Sequence, residues 1–175
     1  MADADWLRGR IRDIADFPSP GIVFRDLTPL LGDAEALRFT IDTLAEAFAG
    51  RRVDKVVGVE ARGFIVAAPV AYRLGAGFVP VRKPGKLPWR TDSEEYALEY
   101  GVDRLEMHAD GVAAGESVLI VDDVIATGGT ARATTRLVER VGATVAGLGF
   151  LVELTYLAGR EKLDGYDIVS LVAYS

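Results

Sequence analysis

Apolar residues along this chain switch between a helical and an extended rhythm, and the switches mark out alternating elements. Trp6, Ile11 and Ile14 predict a short amphipathic N-terminal helix. It must stop before Phe17-Pro18-Ser19-Pro20-Gly21, where two prolines and a glycine forbid continuation. Asp33 is placed to cap a helix over about 34–49, with Gly50 as its left-handed terminator. The run from Lys55 to Glu60 reads as a buried strand. Phe64 to Leu74 reads as a helix closed by Gly75, and Phe78 to Val81 as the next strand. After Ser117 the same order returns: a strand at 118–121, a helix over about 130–141 ended by Gly142, and a strand at 145–152. A last strand is expected at 168–173.

Strands alternating with helices imply an α/β fold, a single domain spanning 1–175 with a largely parallel twisted sheet flanked by helices on both faces. Ligands of such sheets bind at the carboxyl ends of the strands. One stretch breaks the rhythm: from Lys83 to Arg104 the chain is polar and turn-rich, too long for an ordinary connection and suited to a lid. Its segments 95–100 and 105–109 alternate weakly around Gly101 and could pair as a hairpin.

Composition narrows the chemistry. The chain has no cysteine and a single histidine, His108, so disulfides, thiolate zinc sites and His-rich metal sites are excluded and any metal must be held by oxygen. A net charge of −6 argues against a broad nucleic-acid surface. No apolar run approaches a membrane span, and the mixed charges of the N-terminus are unlike a secretory signal. A cytoplasmic location is expected.

The strongest chemical signal is Val118-Leu119-Ile120-Val121-Asp122-Asp123-Val124-Ile125-Ala126-Thr127-Gly128-Gly129-Thr130. A buried strand runs into two carboxylates and then into a Thr/Gly turn that opens a helix. Glycines let backbone N–H groups converge on an anion, and the helix N-terminus favours it, so such a turn can hold a phosphate monoester. Carboxylates just ahead of it can accept hydrogen bonds from sugar hydroxyls. Taken alone, the turn is equally a capped helix start. Rival nucleotide motifs are lacking: Gly85-Lys86 is followed by Leu87, and Gly147-Leu148-Gly149 lacks a third glycine.

Three more segments stand out. Phe17 to Asp26 is a rigid Pro/Gly loop presenting Phe24, which could stack on a purine or be core. Glu60-Ala61-Arg62-Gly63-Phe64 puts an arginine at a strand-to-helix turn, a place for an anion or a surface ion pair. Arg82, Lys83 and Lys86 crowd three cations into five residues of an acidic chain, which suggests either a shared anion or a solvated turn.

The thirteen-residue block resembles the phosphoribosyl pyrophosphate (PRPP) signature of the type I phosphoribosyltransferases. The other three segments are similar to those of the adenine phosphoribosyltransferase branch. The resemblance implies that fold, with a small mobile hood, and transfer of the 5-phosphoribosyl group of PRPP to adenine to give AMP and pyrophosphate. It implies that Asp122 and Asp123 hold the ribose hydroxyls, with Val124 in the same substrate-binding stretch. Ala126, Thr127, Gly128, Gly129 and Thr130 would hold the 5-phosphate. Within a base-binding segment 1–32, Phe24 would stack on adenine while backbone groups of Val23 and Arg25 pair with its amino edge. Ala61, Arg62 and Gly63, with Arg82, Lys83 and Lys86, would take the pyrophosphate side. Residues 84–104 would form the lid, in which Glu99 is the acid/base candidate and Tyr100 a substrate-binding neighbour. No residue is assigned as a metal ligand, Mg²⁺ being bound mainly through PRPP and pyrophosphate, and a homodimer is implied. A phosphoribosyltransferase for another base, or a nucleic-acid-binding regulator on the same fold, are the rivals. The purine loop disfavours the first and the acidic surface the second.

Overall fold

The computed structural model describes residues 3–97 and 101–175. Helix α1 (Ala4–Arg8) is capped by Asp3, whose side chain accepts the Trp6 N–H. It ends far earlier than expected. Ile14 lies on strand β1 (Arg12–Ala15), which pairs antiparallel with β2 (Val23–Asp26), Ile14 opposite Phe24. The spacing of Trp6, Ile11 and Ile14 fits a helix, but Ile11 is buried in a turn and the following backbone finds its partners across the hairpin. A one-turn helix α2 (Thr28–Gly32), with Pro29 in its first turn, was not anticipated. Helix α3 (Ala34–Phe48) starts where expected, Asp33 accepting from the N–H groups of Glu35 and Ala36. Gly50 is not left-handed: the helix closes instead on an Ala49-to-Glu46 backbone bond, so no positive φ is needed.

Strand β3 (Lys55–Val59), helix α4 (Gly63–Leu74) and strand β4 (Gly77–Arg82) form the first parallel unit, with Gly75 at φ +67° ending the helix. Next come β5 (Thr91–Ala97) and β6 (Val102–His108). The second parallel unit is β7 (Ser117–Ile125), α5 (Gly129–Arg140) and β8 (Thr144–Leu154). Two 3-10 turns at Thr155–Leu157 and Gly159–Leu163 then lead to β9 (Ile168–Tyr174).

The sheet order is β5-β6-β4-β3-β7-β8-β9. Its last five strands run parallel, while β5 and β6 add an antiparallel edge. Side chains alternate across it as the pleat requires. Leu119 and Val121 face a core built with α1, α3 and α4, whereas Val118 and Ile120 face the core beneath α5. Both faces are thus covered, and β7 at the centre is buried on each side. The expected hairpin exists but is longer than the alternation suggested and belongs to the main sheet. Glu94 of β5 anchors it by pairing with Arg136 and Arg140 of α5. Among the described residues no helix is long and apolar enough to cross a membrane.

Candidate active site

The two parallel units bring their strand-to-helix turns side by side at the carboxyl ends of β3 and β7, as neighbours in one sheet must. A cleft of about 780 Å³ opens there. It is walled by the β2 hairpin on one side and by the 154–157 segment on another.

Asp122 and Asp123 are adjacent near the end of β7, and both line the cleft. Asp122 Oδ1 accepts the Asp123 N–H at 2.9 Å, and its carboxyl packs directly on Gly63, where a Cβ would collide with it. Gly63 is therefore buried beneath the acid rather than open to the cleft. Withdrawal from water, and then the neighbouring charge of Asp123, push the Asp122 pKa well above the ordinary carboxylate range. Asp123 is paired with Arg62, whose Nε lies 2.6 Å from Oδ2. The N–H is not aligned, however, and this buried oxygen has no hydrogen-bond partner. It is a buried acceptor that meets the Arg62 guanidinium as an ion pair without an aligned hydrogen bond.

The following turn, Ala126 to Thr130, lines the cleft floor and ends in α5. Gly128 is its pivot, with φ +75° at the N-cap, a conformation that glycine adopts without steric cost. No side chain caps this helix, so the N–H groups of its first turn face the cleft unclaimed. Thr127 is exposed, and Thr130 Oγ1 reaches the Tyr96 hydroxyl of β5 at 3.5 Å.

Across the cleft, Ala61 and Arg62 form the turn between β3 and α4, after a cis Glu60–Ala61 peptide. The guanidinium of Arg62 stands 5.4 Å from the ring centre of Phe24. Phe24 is half-buried, lines the cleft, and meets Phe17 edge-on at 5.2 Å, so it is not a core residue. Val23 and Arg25 lie two apart on one strand and therefore turn their backbone N–H and C=O groups toward the same edge. Arg25 itself is held by Asp13 and lies over the Tyr174 ring at 4.0 Å.

The three clustered cations are not free. Arg82 Nε and Lys86 Nζ donate to the two oxygens of Glu60 at 2.7 and 2.6 Å, and neither residue lines the cleft. Burial alone would raise the Glu60 pKa, but these bonds override it and hold it below the usual value. Lys83 does line the cleft, paired with Asp103 and donating to the Tyr96 hydroxyl at 2.9 Å. Tyr96 and Asp103 went unnoticed in the sequence because nothing there pairs them with Lys83, which lies 13 and 20 residues away. Glu99 and Tyr100 lie outside the described residues. Among the described residues no three His, Cys, Asp or Glu side chains converge as a metal-ligand set.

The sequence matches the phosphoribosyl transferase domain over residues 32–172. It is 58% identical to an adenine phosphoribosyltransferase of Thermotoga neapolitana over 168 residues, covering 96% of this chain and 99% of the relative. The chain belongs to the adenine phosphoribosyltransferase family. A crystal structure of such an enzyme from Thermoanaerobacter pseudethanolicus superposes with a TM-score of 0.95 at 56% identity, over 98% of this chain and 99% of the other. The Saccharomyces cerevisiae enzyme, solved with an imino-altritol bisphosphate and adenine, superposes at 0.90 with 41% identity, over 96% and 97% of the two chains. The fold reading of the sequence is borne out.

The raised pKa of Asp122 carries a stability consequence. A native-state pKa above the unfolded value means that the folded protein loses stability as pH climbs through the ordinary carboxylate range toward the raised value. Asp122→Asn, which keeps an oxygen for the Asp123 N–H, should therefore melt at a higher temperature than wild type at pH 7 without substrate. The two melting temperatures should converge below about pH 4. A folded variant no more stable than wild type at pH 7 would refute a disfavoured charge at this position.

Proposed function

We infer that this enzyme transfers the 5-phosphoribosyl group of PRPP to adenine, giving AMP and pyrophosphate. The observation that carries the reading is the meeting, in one cleft, of an aromatic hairpin, an arginine turn and a pair of acids leading into an uncapped helix start.

Each part suits one piece of the substrates. The 126–130 turn offers glycine-freed N–H groups and threonine hydroxyls to the 5-phosphate. Asp122 and Asp123 accept from the ribose hydroxyls, and their place in the cleft lining supports this assignment. Hydroxyl donors also favour the ionised form of Asp122, which burial and the neighbouring Asp123 charge disfavour. Ala61, Arg62 and Lys83 face the pyrophosphate side, with Gly63 beneath them. Arg82 and Lys86 join them by leaving Glu60 when the diphosphate arrives. Phe24 stacks on adenine, and the shared edge of Val23 and Arg25 reads its amino group beside a ring acceptor.

As the bond from ribose C1 to pyrophosphate breaks, positive charge grows on the sugar and negative charge on the leaving oxygens. The two aspartates face the first and the cation group the second, so catalysis is positional and electrostatic. Mg²⁺ fits as a hard ion carried mainly by diphosphate and ribose oxygens, the residues that would face it being Asp122 and Asp123, and when bound it neutralises the leaving group. Glu99 exchanges a proton or hydrogen bond with an imidazole-edge nitrogen of adenine, and Tyr100 completes the substrate wall within the 84–104 lid, whose closure excludes water. We place the enzyme in the cytoplasm on the sequence grounds given above. We also propose a homodimer. Ile65, Ala68 and Tyr72 form an exposed apolar stripe on α4, with Tyr72 85% exposed, and a helix apolar on its outer face calls for a partner.

Assayed with PRPP, adenine should exceed guanine and hypoxanthine in kcat/KM by on the order of 10²-fold or more, since a fixed donor–acceptor order leaves 6-oxopurines unpaired. A comparable value for either 6-oxopurine would sink the base assignment. Glu99→Gln should lower kcat by roughly 10²–10⁴-fold with PRPP affinity and melting temperature unchanged. Near-normal turnover in that variant removes Glu99 from the chemistry. In sedimentation, wild type should run as a dimer and Tyr72→Glu as a monomer; a wild-type monomer at micromolar concentration rules the dimer out.

A further inference from the structure

The segment between β8 and β9 has no part in the assignments above, yet it lies against the turn read as the 5-phosphate cradle. Gly159 and Gly128 meet backbone to backbone. A Cβ on Gly128 would run into the Gly159 carbonyl oxygen, with the Gly159 carbonyl carbon at 3.0 Å and Cα at 3.1 Å. A Cβ on Gly159 would strike the Ala126 carbonyl oxygen and come within 2.9 Å of Gly128 N. A long side chain could swing aside, but here both obstacles are main chain, so relief must come from moving the turn itself. Gly128 needs its positive φ as well; Gly159 does not have one, so its requirement is purely one of space.

The neighbouring residue holds Gly159 in place. Arg160 Nε and Nη2 donate to the two oxygens of Glu153 at 2.6 and 2.7 Å, a bidentate fork. Nη1 donates to the Ile168 carbonyl at 3.2 Å and Nη2 to Ser170 Oγ at 2.9 Å. Ser170 in turn donates to Glu153 at 2.5 Å. Glu153 is buried at the end of β8, and Leu163, closing the segment, is buried in the core under α5. The 3-10 turn is thus tied to two sheet strands and one core while its glycine touches the phosphate turn.

We propose that the Glu153–Arg160 fork positions Gly159 as a rigid back wall of the 126–130 turn, and that this wall sets affinity for the phosphate monoester end of the substrates. Gly159 and Arg160 are positioning residues: they act through the turn's N–H groups, whose aim at an anion degrades with sub-ångström displacement. The proposal rests on the reading of that turn as the 5-phosphate site.

The test compares Gly159→Ala, Arg160→Met, Arg160→Lys and a Thr127→Val, Thr130→Val double variant with wild type. Binding of AMP and PRPP, which carry the monoester, is measured beside binding of inorganic pyrophosphate, which does not. Gly159→Ala should raise the Kd for AMP and PRPP about tenfold or more and leave that for pyrophosphate unchanged, with kcat at saturating PRPP within about threefold of wild type. Arg160→Met should move the same constants in the same direction, and Arg160→Lys should recover part of the loss. Wild-type AMP and PRPP affinity in folded Gly159→Ala, or equal weakening of pyrophosphate, overturns the wall. If Gly159→Ala fails to fold, unaltered AMP affinity in Arg160→Met overturns it instead. AMP binding unaltered in the double threonine variant and in Gly159→Ala alike removes the phosphate turn itself and the wall with it. Weakened AMP binding there, with none in Gly159→Ala, removes the wall alone.

Discussion

Two adjacent carboxylates near the end of β7, a central strand covered on both faces, are the constraint around which the rest of the site is arranged. Like charges this close repel, and desolvation strengthens the repulsion. The fold offsets it locally: Asp123 is given Arg62, and Asp122 rests on Gly63 at the first turn of α4, where the helix dipole favours negative charge. Gly63 is thereby tied to the aspartate as strictly as to its own turn, because any side chain would occupy the carboxylate's place. The offset is incomplete, as the raised Asp122 pKa and the Asp123 oxygen paired with Arg62 without an aligned hydrogen bond record. Incomplete satisfaction at a cleft wall is what a substrate bearing hydroxyl donors can relieve.

The cation side shows the complementary arrangement. In an acidic chain three neighbouring cations are stabilised by internal carboxylates, Arg82 and Lys86 by Glu60 and Lys83 by Asp103. Two carboxylates against three cations leave one positive charge uncompensated in this group, and of the three Lys83 lines the cleft while Arg82 and Lys86 do not. Tyr96 joins the two halves, accepting from Lys83 and from Thr130 of the 126–130 turn while β5 is anchored on α5 through Glu94. Strand β5, the 126–130 turn and Lys83 are in this way mechanically connected.

Local sequence determined a great deal here. Asp33, Gly75 and Gly142 end or begin helices through bonds and dihedrals reaching only a few residues, which is why the α3, α4 and α5 boundaries were legible. The parallel sheet followed from strand–helix alternation, and the Asp122-to-Thr130 block from residue types that few local structures require together. Other features depended on partners distant in sequence. Ile14 became a strand residue because Phe24 lies across from it, and the 95–109 segment joined the main sheet because β4 offered an edge. Lys83 pairs with Asp103 and Tyr96, and Gly159 with Gly128, across gaps of 13 to 31 residues that no periodicity spans. The sequence by itself decided where helices begin and end and which strands would be buried, since both are set by side-chain type and backbone freedom. Only the tertiary structure decided which charges neutralise one another and which backbones touch, because Coulomb energy and excluded volume depend on distance in space and not on order along the chain.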